Sequence, residues 1–380
     1  MIAVDDLVRA AAADGARWDR DGLPDAMVER AARAGVLGAD RPVAFGGAGC
    51  DARGLGELAA TLGHACTSLR SLLTVHGMVA AAVDRWGTAA QRGEWLPRLT
   101  SGELIAALAA TEAGAGTELS AVATTFAPDG QDFLVTGTKL WVTFGQRADV
   151  YLVLGKVGGS PDSASGPTAP GSAPGGLCAA LVDRRRPGVV VEPADSGLGL
   201  RGARLATIRF DRVRVPATQL IAPPGFGLSH VIGTALDHGR YTVAWGCVGL
   251  ARACLDDAAA HAATRVQGGT ALAEHQLIRA MLGRGWADVE GARALCERAA
   301  DARIAGSPAA LIATITAKYA AAAAAATVSE RAVQVLGAAG CAPDGRVGRF
   351  YRDAKVMQII EGAQEVAEVT MGEHVVRGAR

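Results

Sequence analysis

The sequence predicts an α+β protein with an N-terminal helical domain, a middle β-barrel or sandwich domain and a C-terminal four-helix bundle. Three observations predict it. Residues 1–105 carry apolar side chains at helical spacing, residues 106–218 carry short β-rich runs, and residues 219–380 hold four long helical stretches. Helix, then strand, then helix lacks the alternating order of a doubly wound parallel sheet.

In the first zone, Leu23-Pro24-Asp25-Ala26-Met27-Val28 reads as a helix start with proline near the first turn. Val28, Ala31, Ala32 and Val36 continue the period, and residues 43–49 break it as a loop. In the second, residues 133–135, 150–154, 188–191 and 206–210 read as strands bounded by Gly, Pro and Asp turns. Residues 158–176 are almost all Gly, Ser, Pro, Ala and Thr, so they read as a mobile loop between two strands. In the third, residues 229–263, 271–304, 308–339 and 353–377 are each expected to form one helix of the bundle.

The 380 residues balance 38 Lys and Arg against 38 Asp and Glu. A net charge of zero offers no bulk attraction for nucleic acid or an anionic membrane. The first residues are charged throughout and lack a basic-then-apolar signal pattern. No run is expected to reach bilayer length, the longest small apolar run being Ala320 to Ala326. These features predict a soluble, cytoplasmic protein with no nucleic-acid or membrane partner. The seven cysteines form no CxxC pair and read as reduced core thiols, with no metal site.

Three motifs carry chemistry. Thr111-Glu112-Ala113-Gly114-Ala115-Gly116-Thr117 combines glycines that admit a close ligand with hydroxyls that bond one; a tight turn leaving a strand explains it equally well. In Gly137-Thr138-Lys139-Leu140-Trp141-Val142-Thr143, a regular strand would put Trp141 and Thr143 on one face. An indole beside a hydroxyl suits an aromatic cofactor ring, and a core Trp is the plainer reading. In Ile359-Ile360-Glu361-Gly362, an acid closes an apolar run, which favours a raised pKa. Gly362 lets the chain turn and a ligand approach. Glu365 and Glu368 sit four and seven residues on from Glu361, so one of them is expected to share its face; a solvated acidic helix face explains the segment equally well.

Together with other pieces in order, the chain resembles the acyl-CoA dehydrogenase superfamily over nearly its whole length. The pieces include Pro42, Phe45, Gly46, Gly47 and Gly49, Trp86-Gly87-Thr88, Leu96-Pro97 and Ser101-Gly102-Glu103. The three motifs follow, interleaved with Leu200-Arg201-Gly202, Val213-x-Val215-Pro216, Gln334-Val335-x-Gly337-x-x-Gly340 and Arg352-Asp353-Ala354-Lys355. The resemblance implies the acyl-CoA dehydrogenase fold and a homo-oligomer, tetramer or dimer, with one FAD per subunit. It implies that Thr111 and Thr117 contact the flavin and thioester region, and that Trp141 and Thr143 cover the flavin and bond its N5 side. Arg265 matches the arginine that reaches the FAD pyrophosphate of a neighbouring subunit, a role suited to its planar fork. Gln334 and Gly337 match positions that cross the subunit interface to the adenosine part. Glu361 matches the catalytic base, and Arg240 and Gly362 lie where substrate binds. Some relatives carry the base on an earlier helix, at about Gly239 here, which offers no acid; Asp237 is the weaker rival.

Four positions depart from the family pattern: Gly268 for an aromatic, Ala363 for a threonine after Glu-Gly, Ala113 for a proline and Leu108 for an aromatic. The runs Ser68-Leu69-Arg70-Ser71, residues 74–78, residues 243–249 and Tyr351–Lys355 resemble the dehydrogenases that make hydroxymalonyl- or methoxymalonyl-type extender units on an acyl carrier protein for polyketides. The expected function is thus FAD-dependent dehydrogenation of a short acyl thioester on a carrier protein or CoA. The alternatives are a general short-chain acyl-CoA dehydrogenase, a flavin monooxygenase on the same fold, and a flavin-free binding protein.

Overall fold

A computed structural model describes residues 4–158, 176–194 and 197–378. Five helices open the chain: α1 (Asp5–Asp21), α2 (Asp25–Arg33), α3 (Ala52–Ala65), α4 (Thr67–Trp86) and α5 (Ala89–Thr100). Pro24 stands at the N-cap of α2, and Thr88 with Gln91 forms a full capping box on α5. α4 is buried along nearly its whole length, which makes it a central element.

Seven strands follow: β1 (Ala106–Ala109), β2 (Thr125–Asp129), β3 (Asp132–Val142), β4 (Val150–Val157), β5 (Leu177–Asp183), β6 (Val189–Pro193) and β7 (Ala206–Pro216). They form one hydrogen-bonded sheet in the order β1-β4-β2-β3-β7-β6, with β5 beside β4. Tyr151 on β4 meets Phe210 on β7 at 6.5 Å between ring centroids, although those strands are not neighbours in the sheet. The sheet therefore folds over a core of its own. The other face of β4, through Val150, Leu152 and Leu154, packs toward α4 and α5. Burial on both faces explains the unbroken apolar run in β4. The Gly/Ser/Pro-rich stretch expected to loop between two strands falls between β4 and β5, and its residues 159–175 lie outside the described residues.

The rest is helical: α6 (Gly233–Thr264), α7 (Gln276–Ile304), α8 (Ala310–Leu336), α9 (Arg346–Met357) and α10 (Gln364–Gly378). A small hairpin of β8 (Val266–Gln267) and β9 (Thr270–Ala271) joins α6 to α7. The single helix expected over residues 353–377 is a correction: it is two helices with a break between Met357 and Gln364. Membrane length is a second correction. The stretch Ala310–Cys341 is apolar and long enough to span a bilayer by length and composition. It packs instead against α6, α7 and α9. Five of the seven cysteines are buried; Cys50 is half-buried and Cys341 exposed.

Candidate active site

Glu361 sits in the break, not on a helix face. Its φ is 56° and that of Gly362 is 100°, so the chain reverses there in a left-handed conformation. Glycine adopts this freely; for a glutamate it is strained by about 1–3 kcal/mol. The face expected to be shared with Glu365 or Glu368 does not exist, because their helix begins only at Gln364. The residue as a whole is half-buried, yet its Oε2 is closed to solvent and makes no hydrogen bond among the described residues.

The rival position is occupied space. A Cβ on Gly239 would stand 2.8 Å from Glu361 Oε2 and 2.9 Å from Met78 Sδ. Gly239 thus clears the volume that the Glu361 carboxyl fills from 122 residues away. The Asp237 carboxylate is already tied to Arg303 at 2.6 Å. Burial pushes the Glu361 carboxyl up to about 7, against the pull of three cations, Arg240, Lys318 and Arg70. None of these three hydrogen-bonds the carboxylate. Arg240 Nε donates to the Glu361 carbonyl at 2.8 Å, and Lys318 Nζ donates to the Gly362 carbonyl at 2.6 Å. Arg70 is 1% exposed; it donates to Thr74 Oγ1 and Met357 Sδ, and has no carboxylate partner among the described residues.

The two upstream motifs meet through a buried ion pair that motif reading passed over. Lys139 Nζ lies 2.6 Å from Glu112 Oε1 and 3.1 Å from the Ala110 carbonyl, while Leu140 N donates to the Thr111 carbonyl at 2.9 Å. Glu112 also accepts from Thr124 N and Ala123 N. Burial opposes its charge, but these donors hold the carboxyl below its usual range. The Ala113-Gly114 turn then closes a bridge between Glu112 and Ala115. Trp141 does not share a strand face with Thr143. A bulge lies between Lys139 and Val142, Trp141 takes φ 57°, and Thr143 follows the strand's end. The bulge turns the indole outward, leaving it 57% exposed.

Arg265, Gln334 and Gly337 stand apart from this cluster. Arg265 follows Arg240 by 25 residues on the same helical path, about 37 Å at 1.5 Å per residue. Gln334 follows Lys318 by 16 residues on α8, about 24 Å. All three are exposed.

Three family models tile the chain: the acyl-CoA dehydrogenase N-terminal domain over residues 3–103, the middle domain over 107–213 and the C-terminal domain over 226–376. The chain belongs to the acyl-CoA dehydrogenase family. The mitochondrial short-chain specific acyl-CoA dehydrogenase of Mus musculus is 30% identical over 96% of this chain and 86% of its own length. Among solved structures, FkbI for biosynthesis of the methoxymalonyl extender unit of the polyketide immunosuppressant Fk520 matches with a TM-score of 0.88 and 37% identity, covering 99% of both chains. Butyryl-CoA dehydrogenase from Megasphaera elsdenii matches with a TM-score of 0.89 and 26% identity, covering 98% of this chain and 97% of its own.

Acyl-CoA dehydrogenases are FAD-dependent oxidoreductases of acyl thioesters. The residues present fit that cofactor. The Trp141 indole stands open, and a Cβ on Gly114 or Gly116 would meet nothing within 4 Å, so a flat group can lie against this backbone. One departure from the family pattern has a local cause. Gly268 and Gly269, at φ 63° and 87°, make the two-residue turn of the β8–β9 hairpin, where an aromatic side chain would be strained.

Proposed function

We propose that the protein is an FAD-dependent dehydrogenase of a short, polar acyl thioester borne on an acyl carrier protein, in polyketide extender-unit biosynthesis. The observation that carries this reading is Arg70. A fully buried guanidinium that makes no ion pair among the described residues stands near the Asp353 and Glu361 carboxylates, in a region that would be apolar if it received a hydrocarbon tail. Thr74 and Thr242, whose hydroxyl oxygens lie 3.0 Å apart, add polarity. The likeness to FkbI over the whole chain agrees with it.

In this reading Glu361 is the base, with a carboxyl that ionises close to neutral pH. It takes the hydroxyl proton of a hydrated three-carbon aldehyde. The bound flavin supplies the hydride acceptor for the carbon being oxidised. Arg70 then faces the carboxylic acid that results, which ionises as its product. A cavity of about 920 Å³ reaches Arg240 from the outside, between the end of α4, the start of α6 and the α7–α8 turn, and is roomy enough for a phosphopantetheine arm. Arg265, Gln334 and Gly337, exposed and far from Glu361, suit cofactor contacts on a neighbouring copy, so the working form is a homo-oligomer.

The alternative reading is α,β-desaturation of an acyl-CoA with Glu361 taking the α-proton, and the chain's likeness to a short-chain specific acyl-CoA dehydrogenase does not by itself favour it. Anaerobic mixing separates the two. Bleaching of the flavin by a 2-hydroxy-3-oxopropanoyl thioester on carrier protein, and not by butyryl-CoA, is the expected result. Bleaching by butyryl-CoA alone overturns the proposal.

A further inference from the structure

We propose that Lys318 is a positioning residue for Glu361, acting through the Gly362 carbonyl. This rests on the reading of Glu361 as the base. At the reversed backbone of Glu361 and Gly362, neither carbonyl accepts a backbone hydrogen bond among the described residues. Among the described residues each accepts a single hydrogen bond, and each comes from a cation on a different helix: Arg240 of α6 and Lys318 of α8. A strained, left-handed glutamate keeps its conformation only where its surroundings dictate it. Here the two clamps do so.

Lys318 is unusual for a lysine. Its side chain is 2% exposed, no carboxylate lies within ion-pair distance among the described residues, and it is the one charged residue between Arg303 and Glu330. Burying an ammonium merely to satisfy a turn carbonyl is costly. An ammonium near the base does two things that a neutral cap cannot. It makes a charge-assisted bond to the carbonyl that fixes the turn, and it favours the ionised form of the carboxyl. Lys318 faces Cys247 and Arg240 from α6, Glu361 from the turn and Glu365 from α10. Glu361 faces Arg240, Lys318 and Arg70. Burial lowers Lys318 itself to about 8, so its charge is present where Glu361 titrates.

The test is an infrared titration of the Glu361 carboxyl stretch in the holoenzyme, isolated by difference from Glu361→Gln. Lys318→Met is expected to raise the midpoint by about one pH unit and to slow flavin reduction at saturating thioester more than it changes KM. Lys318→Arg keeps the cation and is expected to retain the wild-type midpoint. Lys318→Gln, which keeps a neutral donor to Gly362, guards against a Met variant that fails to fold and should raise the midpoint as well. A wild-type midpoint in the neutral variants overturns the proposal and leaves Lys318 a structural cap. Flavin reduction that survives in Glu361→Gln sinks instead the assignment of the base.

Discussion

Replacing Gly239 by alanine tests the placement of the Glu361 carboxyl with one methyl group. That methyl would stand 2.8 Å from Oε2 and 2.9 Å from Cδ, whereas ordinary contact begins near 3.4 Å. The carboxyl must therefore retreat by about 0.6 Å. A misplacement of 1 Å costs about 10²-fold in rate, so a loss on the order of tenfold is expected. Stability should respond far less. Alanine in a helix interior gains about 1 kcal/mol over glycine, and overpacking costs about 1–3 kcal/mol. The net destabilisation is then between about zero and 2 kcal/mol. Stopped-flow reduction of the flavin under anaerobic conditions, set beside denaturant unfolding of the same protein, measures both. A Gly239→Ala enzyme that keeps the wild-type reduction rate would show that the working carboxyl does not occupy this space.

Two other substitutions probe the site's charges. Flavin reduction should rise with pH through about 7 as Glu361 ionises, and Glu361→Gln should abolish it while retaining FAD. The same change should stabilise the fold at alkaline pH. The carboxyl's folded pKa lies above its unfolded value of 4.5, so the native state holds a proton that the unfolded chain releases. Stability from this group is present below about 4.5 and is lost as pH rises through 7. Glu361→Gln should therefore match wild type at pH 4 and exceed it at pH 8, by at most about 3 kcal/mol and by less once solvent screening is allowed for, in chemical unfolding. Lys139→Met leaves Glu112 buried without its cation, which costs about 3–5 kcal/mol, and should lower the flavin-to-protein absorbance ratio; a ratio and stability equal to wild type would refute the coupling of the two motifs.

Long periodic elements were legible in the sequence, and so was the order of the motifs. The helices α6, α7 and α8 follow from long runs free of proline, a local property, although their apolar side chains show little one-sided periodicity. What escaped depends on contacts across the chain. Ile359-Ile360-Glu361 continues a helical pattern, and only Gly362 hints that the helix stops. The bulge at Trp141 is invisible because Trp, Val and Thr all favour regular strands. The meaning of Gly239 requires knowing that Glu361 folds against it. Lys318 left a usable signal, a solitary charge in an alanine-rich helix, which is a poor place for a lysine unless something inside needs it. Arg70 was visible as part of a local run, but that it makes no ion pair among the described residues is a fact of three-dimensional packing.

The alanine run that follows Lys318 acquires a purpose from the two clamps. Arg240 and Lys318 grip adjacent carbonyls from α6 and α8, so the distance between those helices sets the aim of the carboxylate. Ala321, Ala322 and Ala325 are buried, and α8 packs against α6 more extensively than against any other element. These alanines follow Lys318 by three, four and seven residues and so share the face that it turns to α6, where side chains of one methyl group act as a gauge block of fixed thickness. Residues with no chemistry of their own thereby set the tolerance to which the chemistry is machined, and a compositional bias that looks like neutral filler becomes a constraint on function.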